Sequence, residues 1–102
     1  MYQSEDSDEK TSSQINSKTF TIKNKLGIHV RPATQLVKTA SKFDSNIFIK
    51  KEDLEVDAKS IMGILMLAAS QGCQVVIRAE GKDSKEAVNE LGLLIEEKFG
   101  EE

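Results

Sequence analysis

The chain of 102 residues contains no tryptophan, one tyrosine, one cysteine, one proline and one histidine. A lone thiol, Cys73, has no partner for an internal disulfide and no second cysteine near it for a zinc site, so a reduced, at least half-buried side chain is expected. No cofactor motif stands out, and neither a cofactor nor a metal is expected. No apolar run approaches the roughly 20 residues of a membrane span, and residues 1–11 lack the basic-then-apolar layout of a secretion signal. The protein is therefore expected in the cytoplasm without membrane insertion. The single tyrosine and the absence of an aromatic RNA-binding motif argue against a nucleic-acid partner.

Carboxylates are missing from one long stretch. Between Lys10 and Asp44 there is none, while Lys18, Lys23, Lys25, Arg31, Lys38 and Lys42 all fall there. The formal net charge of −3 arises in residues 1–13, where Glu5, Asp6, Asp8 and Glu9 outnumber Lys10, and the rest of the chain is balanced. The carboxylate-free stretch is locally cationic and suits an anion.

Hydrophobic residues make up 38% of the chain and charged residues 30%, the balance of one soluble domain with a modest core. Residues 1–16 are polar, serine-rich and without periodicity, which predicts a disordered arm, with the folded domain over residues 17–102. "KTFTIK" alternates Phe20 and Ile22 with polar neighbours and reads as a half-buried strand. In "RPATQLVKTASKF", Ala33, Leu36, Val37, Ala40 and Phe43 recur at helical spacing and leave Gln35, Lys38 and Lys42 on a polar face. "NIFIK" and "LEVDA" read as an antiparallel hairpin with Ile47, Ile49, Leu54 and Val56 inward. "SIMGILMLAA" is a short apolar helix with Ser60 as its N-cap. A fourth strand over Gln74 to Glu80 turns Val75, Ile77 and Ala79 to one face. The last helix buries Ala87, Val88, Leu91, Leu94 and Ile95, with Asp83 and Glu86 spaced as a capping box. The order β-α-β-β-α-β-α predicts an α+β fold, a four-stranded antiparallel sheet with three helices on one face and solvent on the other.

The decapeptide "KLGIHVRPAT", residues 25–34, holds the only histidine and the only proline. His29 falls where the first helix begins, and Pro32 in the first turn is tolerated because that amide has no intrahelical partner. Free backbone N–H groups and the positive end of the helix dipole favour an anion there, and Arg31 adds a forked cationic donor. A phosphoryl-accepting imidazole needs a free ring nitrogen and donors for the phosphoryl oxygens, but no general base. The absence of a carboxylate between Lys10 and Asp44 fits that chemistry better than hydrolysis. On position alone, a histidine that merely caps the helix accounts for the pattern equally well.

"GIHVRPAT", "LVKTASKF", "KSIMGILMLA" and "GCQVVIRAEGKDSKEAVNEL" together resemble the HPr family, the histidine-containing phosphocarriers of the bacterial phosphoenolpyruvate-dependent sugar phosphotransferase system. The likeness covers residues 18 to about 98. It implies an open-faced β-sandwich, a carrier rather than an enzyme, and phosphorylation of His29 on Nδ1 by phosphorylated enzyme I. From His29 the group would pass to the IIA domains of sugar permeases. Arg31 matches the family's phosphate-stabilising arginine. Ser60 matches the serine modified by HPr kinase/phosphorylase, although its position is also that of a plain N-cap. "SIMGILM" holds more apolar residues than a short surface helix can bury, and the resemblance implies that Ile61, Met62 and Leu65 are exposed for partner docking, with Lys38 on the same surface. A monomer is expected. Leu26 and Val30 depart from the residues common in the family, and the arm before Lys18 has no counterpart in its short members. The alternative within the same likeness is a regulatory HPr-like protein acting on carbon metabolism or transcription through Ser60 and His29. A binding module without phosphoryl chemistry would leave the combination of His29, Arg31 and "KSIMG" unexplained.

Overall fold

A computed structural model of the chain describes residues 14–101. Most of the expected N-terminal arm lies outside these residues. Its last three residues are part of the domain: the Gln14 carbonyl accepts from Gly81 N at 2.9 Å, and strand β1 spans Ile15–Thr21. The strand starts earlier than "KTFTIK" because pairing with β4 runs from Ile15 opposite Glu80 to Thr21 opposite Gln74. Its first three residues, Ile15, Asn16 and Ser17, are held by this ladder rather than by any apolar alternation of their own.

The remaining elements are α1 (Val30–Ala40), β2 (Asn46–Lys51), β3 (Leu54–Asp57), α2 (Ile61–Met66), β4 (Gln74–Glu80), α3 (Ser84–Glu96) and a 3-10 turn, Lys98–Gly100. The sheet order is β1-β4-β2-β3 with every neighbouring pair antiparallel. This is the expected α+β architecture. Ile47, Ile49, Val75, Ile77 and Ala79 line the covered face of the sheet and meet Leu36, Ile64, Leu91 and Ile95 from the helices, all essentially without solvent contact. Burying each large aliphatic side chain stabilises the fold by about 1.5–3 kcal/mol. Gly92 lets α3 lie directly on Phe20, because a Cβ there would run into the phenyl ring.

Three local expectations are corrected. Leu54 was expected inward but is 42% exposed: it opens the four-residue edge strand β3 and pairs with Lys51 at the end of the ladder, where little of the core reaches it. Asp83 occupies the N-cap of α3 but makes no side-chain cap bond. Its carboxylate instead accepts from Asp44 N at 2.9 Å, Ser45 N at 3.0 Å and the Ser45 hydroxyl, tying the α1–β2 connection to the start of α3. Finally, α2 has only six residues; Ala68 with φ +51 turns the chain after it, so that Leu67 and Ala69 stay buried without belonging to the helix. No helix among the described residues is long and apolar enough to cross a membrane.

Candidate functional site

The decapeptide forms a tight turn followed by the start of α1. Asn24 is fully buried, and its Nδ2 donates to the Gly27 carbonyl at 2.8 Å and to Glu101 Oε1 at 2.9 Å. Gly27 has φ +67, and a Cβ there would lie 2.5 Å from the Ala69 carbonyl oxygen and 2.8 Å from Ser70 Cα, so only glycine fits against the segment that follows α2. Ile28 N then donates to that Ala69 carbonyl at 2.9 Å. These contacts deliver His29 to the N-cap of α1 in extended geometry, φ −91 and ψ −165, with its carbonyl accepting from Ala33 N at 3.0 Å. The ring makes no cap bond to the helix. His29 therefore caps by its backbone alone, and its imidazole is left for other partners.

The partner is a carboxylate from outside the carboxylate-free stretch, which overturns the expectation that the imidazole has no acidic partner. His29 Nε2 lies 2.8 Å from Glu101 Oε2, across 72 positions of chain. The same oxygen is 3.3 Å from Arg31 Nη2, which also donates to the Phe99 carbonyl at 3.3 Å. Glu101 arrives through Lys98, Phe99 and Gly100, three consecutive residues with φ of 58, 55 and 76. Left-handed backbone at the two non-glycine positions costs about 1–2 kcal/mol each; the Phe99 side chain, 2% exposed, offsets this by anchoring the turn in the core. Gln35 on α1 donates to the same Phe99 carbonyl at 3.3 Å. No local pattern in the sequence pairs position 101 with position 29, and only the acidic character of "GEE" hints at it.

The electrostatics follow from these contacts. The Asn24 amide above all holds the Glu101 carboxyl below the usual carboxylate range; desolvation opposes it, and His29 and Arg31 each add a smaller lowering effect. Glu101 is thus an acceptor at neutral pH, and a carboxylate can only accept. Nε2 must therefore carry the hydrogen, and in the neutral ring the lone pair falls on Nδ1. Among the described residues the ring makes its one hydrogen bond at Nε2. Lys25, Leu26, His29, Arg31 and Glu101 line an open depression at this corner. His29 is partly exposed, and Leu26 and Val30 stand out beside it at 72% and 61% exposure.

The other candidates are distributed along α1 and α2. Ser60 is the N-cap of α2, its hydroxyl accepting from Gly63 N at 3.0 Å. α2 packs against α1. Ile61 and Met62 are exposed as expected, but Leu65 is half-buried against the core and Met66, on the next position, is the exposed residue instead. The six-residue helix turns Leu65 inward beside Ile64, which is why its expected exposure is not found. Lys38 is exposed in the last turn of α1, about 13 Å along the helix from His29 at 1.5 Å per residue, and does not belong to the ring's surroundings. Cys73 is half-buried and free, and its thiol is pulled below its usual range chiefly by its hydrogen bond with the Ser70 hydroxyl.

Fold and site define a class: an open-faced α+β sandwich that presents a single imidazole at the start of its first helix. The family model described as "PTS HPr component phosphorylation site" matches residues 16–97. The chain is 46% identical over 83 residues to phosphocarrier protein HPr of Xylella fastidiosa, covering 81% of this chain and 93% of that one. It is 40% identical over 85 residues to HPr of Treponema pallidum, covering 83% and 97%. The crystal structure of HPr from Thermoanaerobacter tengcongensis superimposes with a TM-score of 0.82 at 54% identity, covering 85% of this chain and 98% of that one. Crh of Bacillus subtilis, described as a catabolite repression protein and a swapped dimer, follows at TM-score 0.67 and 40% identity, covering 72% and 85%. The chain belongs to the HPr family of phosphocarrier proteins.

Proposed function

We propose that His29 takes a phosphoryl group on Nδ1 from phosphorylated enzyme I and passes it to the IIA domains of sugar permeases. The observation that carries this reading is the hydrogen bond from His29 Nε2 to Glu101, which leaves the Nδ1 lone pair for attack. A new P–Nδ1 bond forms as the donor's bond to phosphorus breaks, and onward transfer reverses this. Arg31, in the first turn of α1, is the fork for the phosphoryl oxygens, and the backbone N–H groups at the helix start add to it. The family likeness supports a carrier that works as a monomer in the cytoplasm. Ile61, Met62 and Met66, exposed on α2 beside α1, supply the apolar part of a docking surface for successive partners.

Ser60 is the site at which HPr kinase/phosphorylase would regulate the carrier. A phosphate on an N-cap hydroxyl is electrostatically compatible with the helix, so its effect falls on partner docking rather than on folding. A second reading, regulation of carbon metabolism in place of sugar transport, is supported by the likeness to Crh. Incubation with enzyme I, phosphoenolpyruvate and Mg²⁺ distinguishes the carrier from a module without phosphoryl chemistry. Acid-labile phosphate is expected on wild type and none on His29→Ala, with an unchanged circular dichroism spectrum. Labelling that survives the substitution would remove His29 from the role; labelled protein that no IIA domain can discharge would favour the regulatory reading.

A further inference from the structure

Phosphorylation of Nδ1 changes what the other ring nitrogen must do. When the Nδ1 lone pair of an Nε2–H imidazole attacks phosphorus, the ring becomes an imidazolium, with the phosphoryl group on Nδ1 and the proton still on Nε2. If that proton is lost, the ring in the phosphorylated state is neutral, and on departure it would leave as an imidazolate, a far poorer leaving group. If the proton is kept, the P–Nδ1 electron pair returns to the ring and a neutral imidazole departs. The group that holds the Nε2 proton therefore bears on both directions of transfer.

The structure places one carboxylate on that proton. Glu101 Oε2 is 2.8 Å from Nε2, and its other oxygen is fixed by the buried Asn24 at 2.9 Å. The turn that carries Glu101 is itself anchored: Phe99 is buried, and its carbonyl accepts from both Arg31 and Gln35. Among the described residues, the charged groups that line the depression with Glu101 are His29 and Arg31 on the α1 side and Lys25 on the preceding loop. All of them are cations or can become so, and among the described residues Glu101 is the one anion lining the depression.

We propose that Glu101 is a positioning residue acting through His29, which keeps the proton on Nε2 so that Nδ1 attacks with its lone pair and later departs as part of a neutral ring. The proposal rests on the carrier reading above and assigns to Glu101 the part of that chemistry which Arg31 cannot perform, since a guanidinium only donates. It is the arrangement by which a carboxylate fixes the tautomer of a catalytic histidine and stabilises its cation in hydrolases, used here on a group that carries phosphate.

The test compares wild type with Glu101→Gln, which keeps the shape and loses the charge, and with Glu101→Asp as the conservative rescue. Long-range ¹H–¹⁵N spectra of the unphosphorylated proteins should show His29 as the Nε2–H tautomer in wild type and a mixture in Glu101→Gln. After phosphorylation with enzyme I and phosphoenolpyruvate, the Nε2 titration should fall by about one pH unit in Glu101→Gln, and transfer to a IIA domain at pH 8 should slow by about tenfold, one unit corresponding to one decade. The deficit should shrink as the pH is lowered and the ring protonates without help, and Glu101→Asp should recover part of both effects. A purely structural role would give a deficit independent of pH. Indistinguishable titrations and transfer rates in phosphorylated wild type and Glu101→Gln would overturn this inference alone; a wild type that takes no phosphate on His29 would overturn the carrier reading and this inference with it.

Discussion

Two carboxylates, Asp83 and Glu101, each sit at the N-terminal end of a helix and use both oxygens to hold distant parts of the chain together. Asp83 binds two backbone N–H groups and the hydroxyl of a serine that is 2% exposed. Glu101 binds an amide, an imidazole and a guanidinium, two of which are solvent-accessible. The difference lies in the partners. Backbone amides and a buried hydroxyl can only be satisfied, so Asp83 is a lock, whereas imidazole and guanidinium have further chemistry to offer, so Glu101 marks a site. Both carboxyls are held below their usual range, Asp83 chiefly by the Ser45 hydroxyl and Glu101 chiefly by Asn24. A depressed carboxyl is thus no indicator of function until its partners are named.

The sharpest way to break the comparison is to disturb both properties at once. Gly27→Ala forces a Cβ into the Ala69 carbonyl at a left-handed φ and should cost about 2–4 kcal/mol of stability while also slowing phosphoryl acceptance. Urea denaturation together with enzyme I assays checks this; a variant of wild-type stability would show that the loop shifts without consequence. Next, Asp83→Ala should remove about 1–3 kcal/mol and leave the rate of phosphoryl transfer unchanged. The sign of its pH dependence follows from the depressed carboxyl: the contribution is complete above the ordinary carboxylate value of about 3.9 and disappears as pH falls through the lower folded value. The stability gap between wild type and Asp83→Ala should accordingly be flat near neutrality and narrow at acid pH. A gap that persists in acid would locate the loss in packing rather than in the carboxylate.

Arg31→Ala is the mirror image, with stability within about 0.5 kcal/mol of wild type because the side chain is on the surface and transfer slower by about tenfold from a lost charge-assisted contact. Transfer at the wild-type rate in both directions would show that the helix-start amides suffice. The smallest effect is expected for Ser60→Asp, an enzyme I-dependent rate reduced by a few-fold at low salt and recovering as salt screens charges beyond about 8–10 Å. Equal rates for wild type, Ser60→Ala and Ser60→Asp would dismiss the regulatory role, and a deficit indifferent to salt would make it steric.

Periodicity accounts for how much of this was legible. Ile47, Ile49, Val75, Ile77 and Ala79 alternate strictly and Leu36, Leu91 and Ile95 recur at helical spacing, so the sheet, the helices and the family likeness could all be read from the chain. The capping box at Asp83 and Glu86 was read correctly as a helix start and wrongly as a local bond, because the carboxylate found better donors in the neighbouring loop. Leu65 was expected exposed and is half-buried, with Met66 exposed beside it, because one residue of rotation on a six-residue helix decides which side chain meets the core.

At the site the division is of the same kind. The sequence by itself determined where the one imidazole falls, at a helix start with Arg31 two residues on, since these are neighbours in the chain and their spacing carries their geometry. It could not determine which nitrogen of that imidazole is free. That was decided by Glu101, delivered across 72 positions by a buried phenylalanine and a left-handed turn, because a hydrogen bond between remote residues exists only once the core that aligns them has formed.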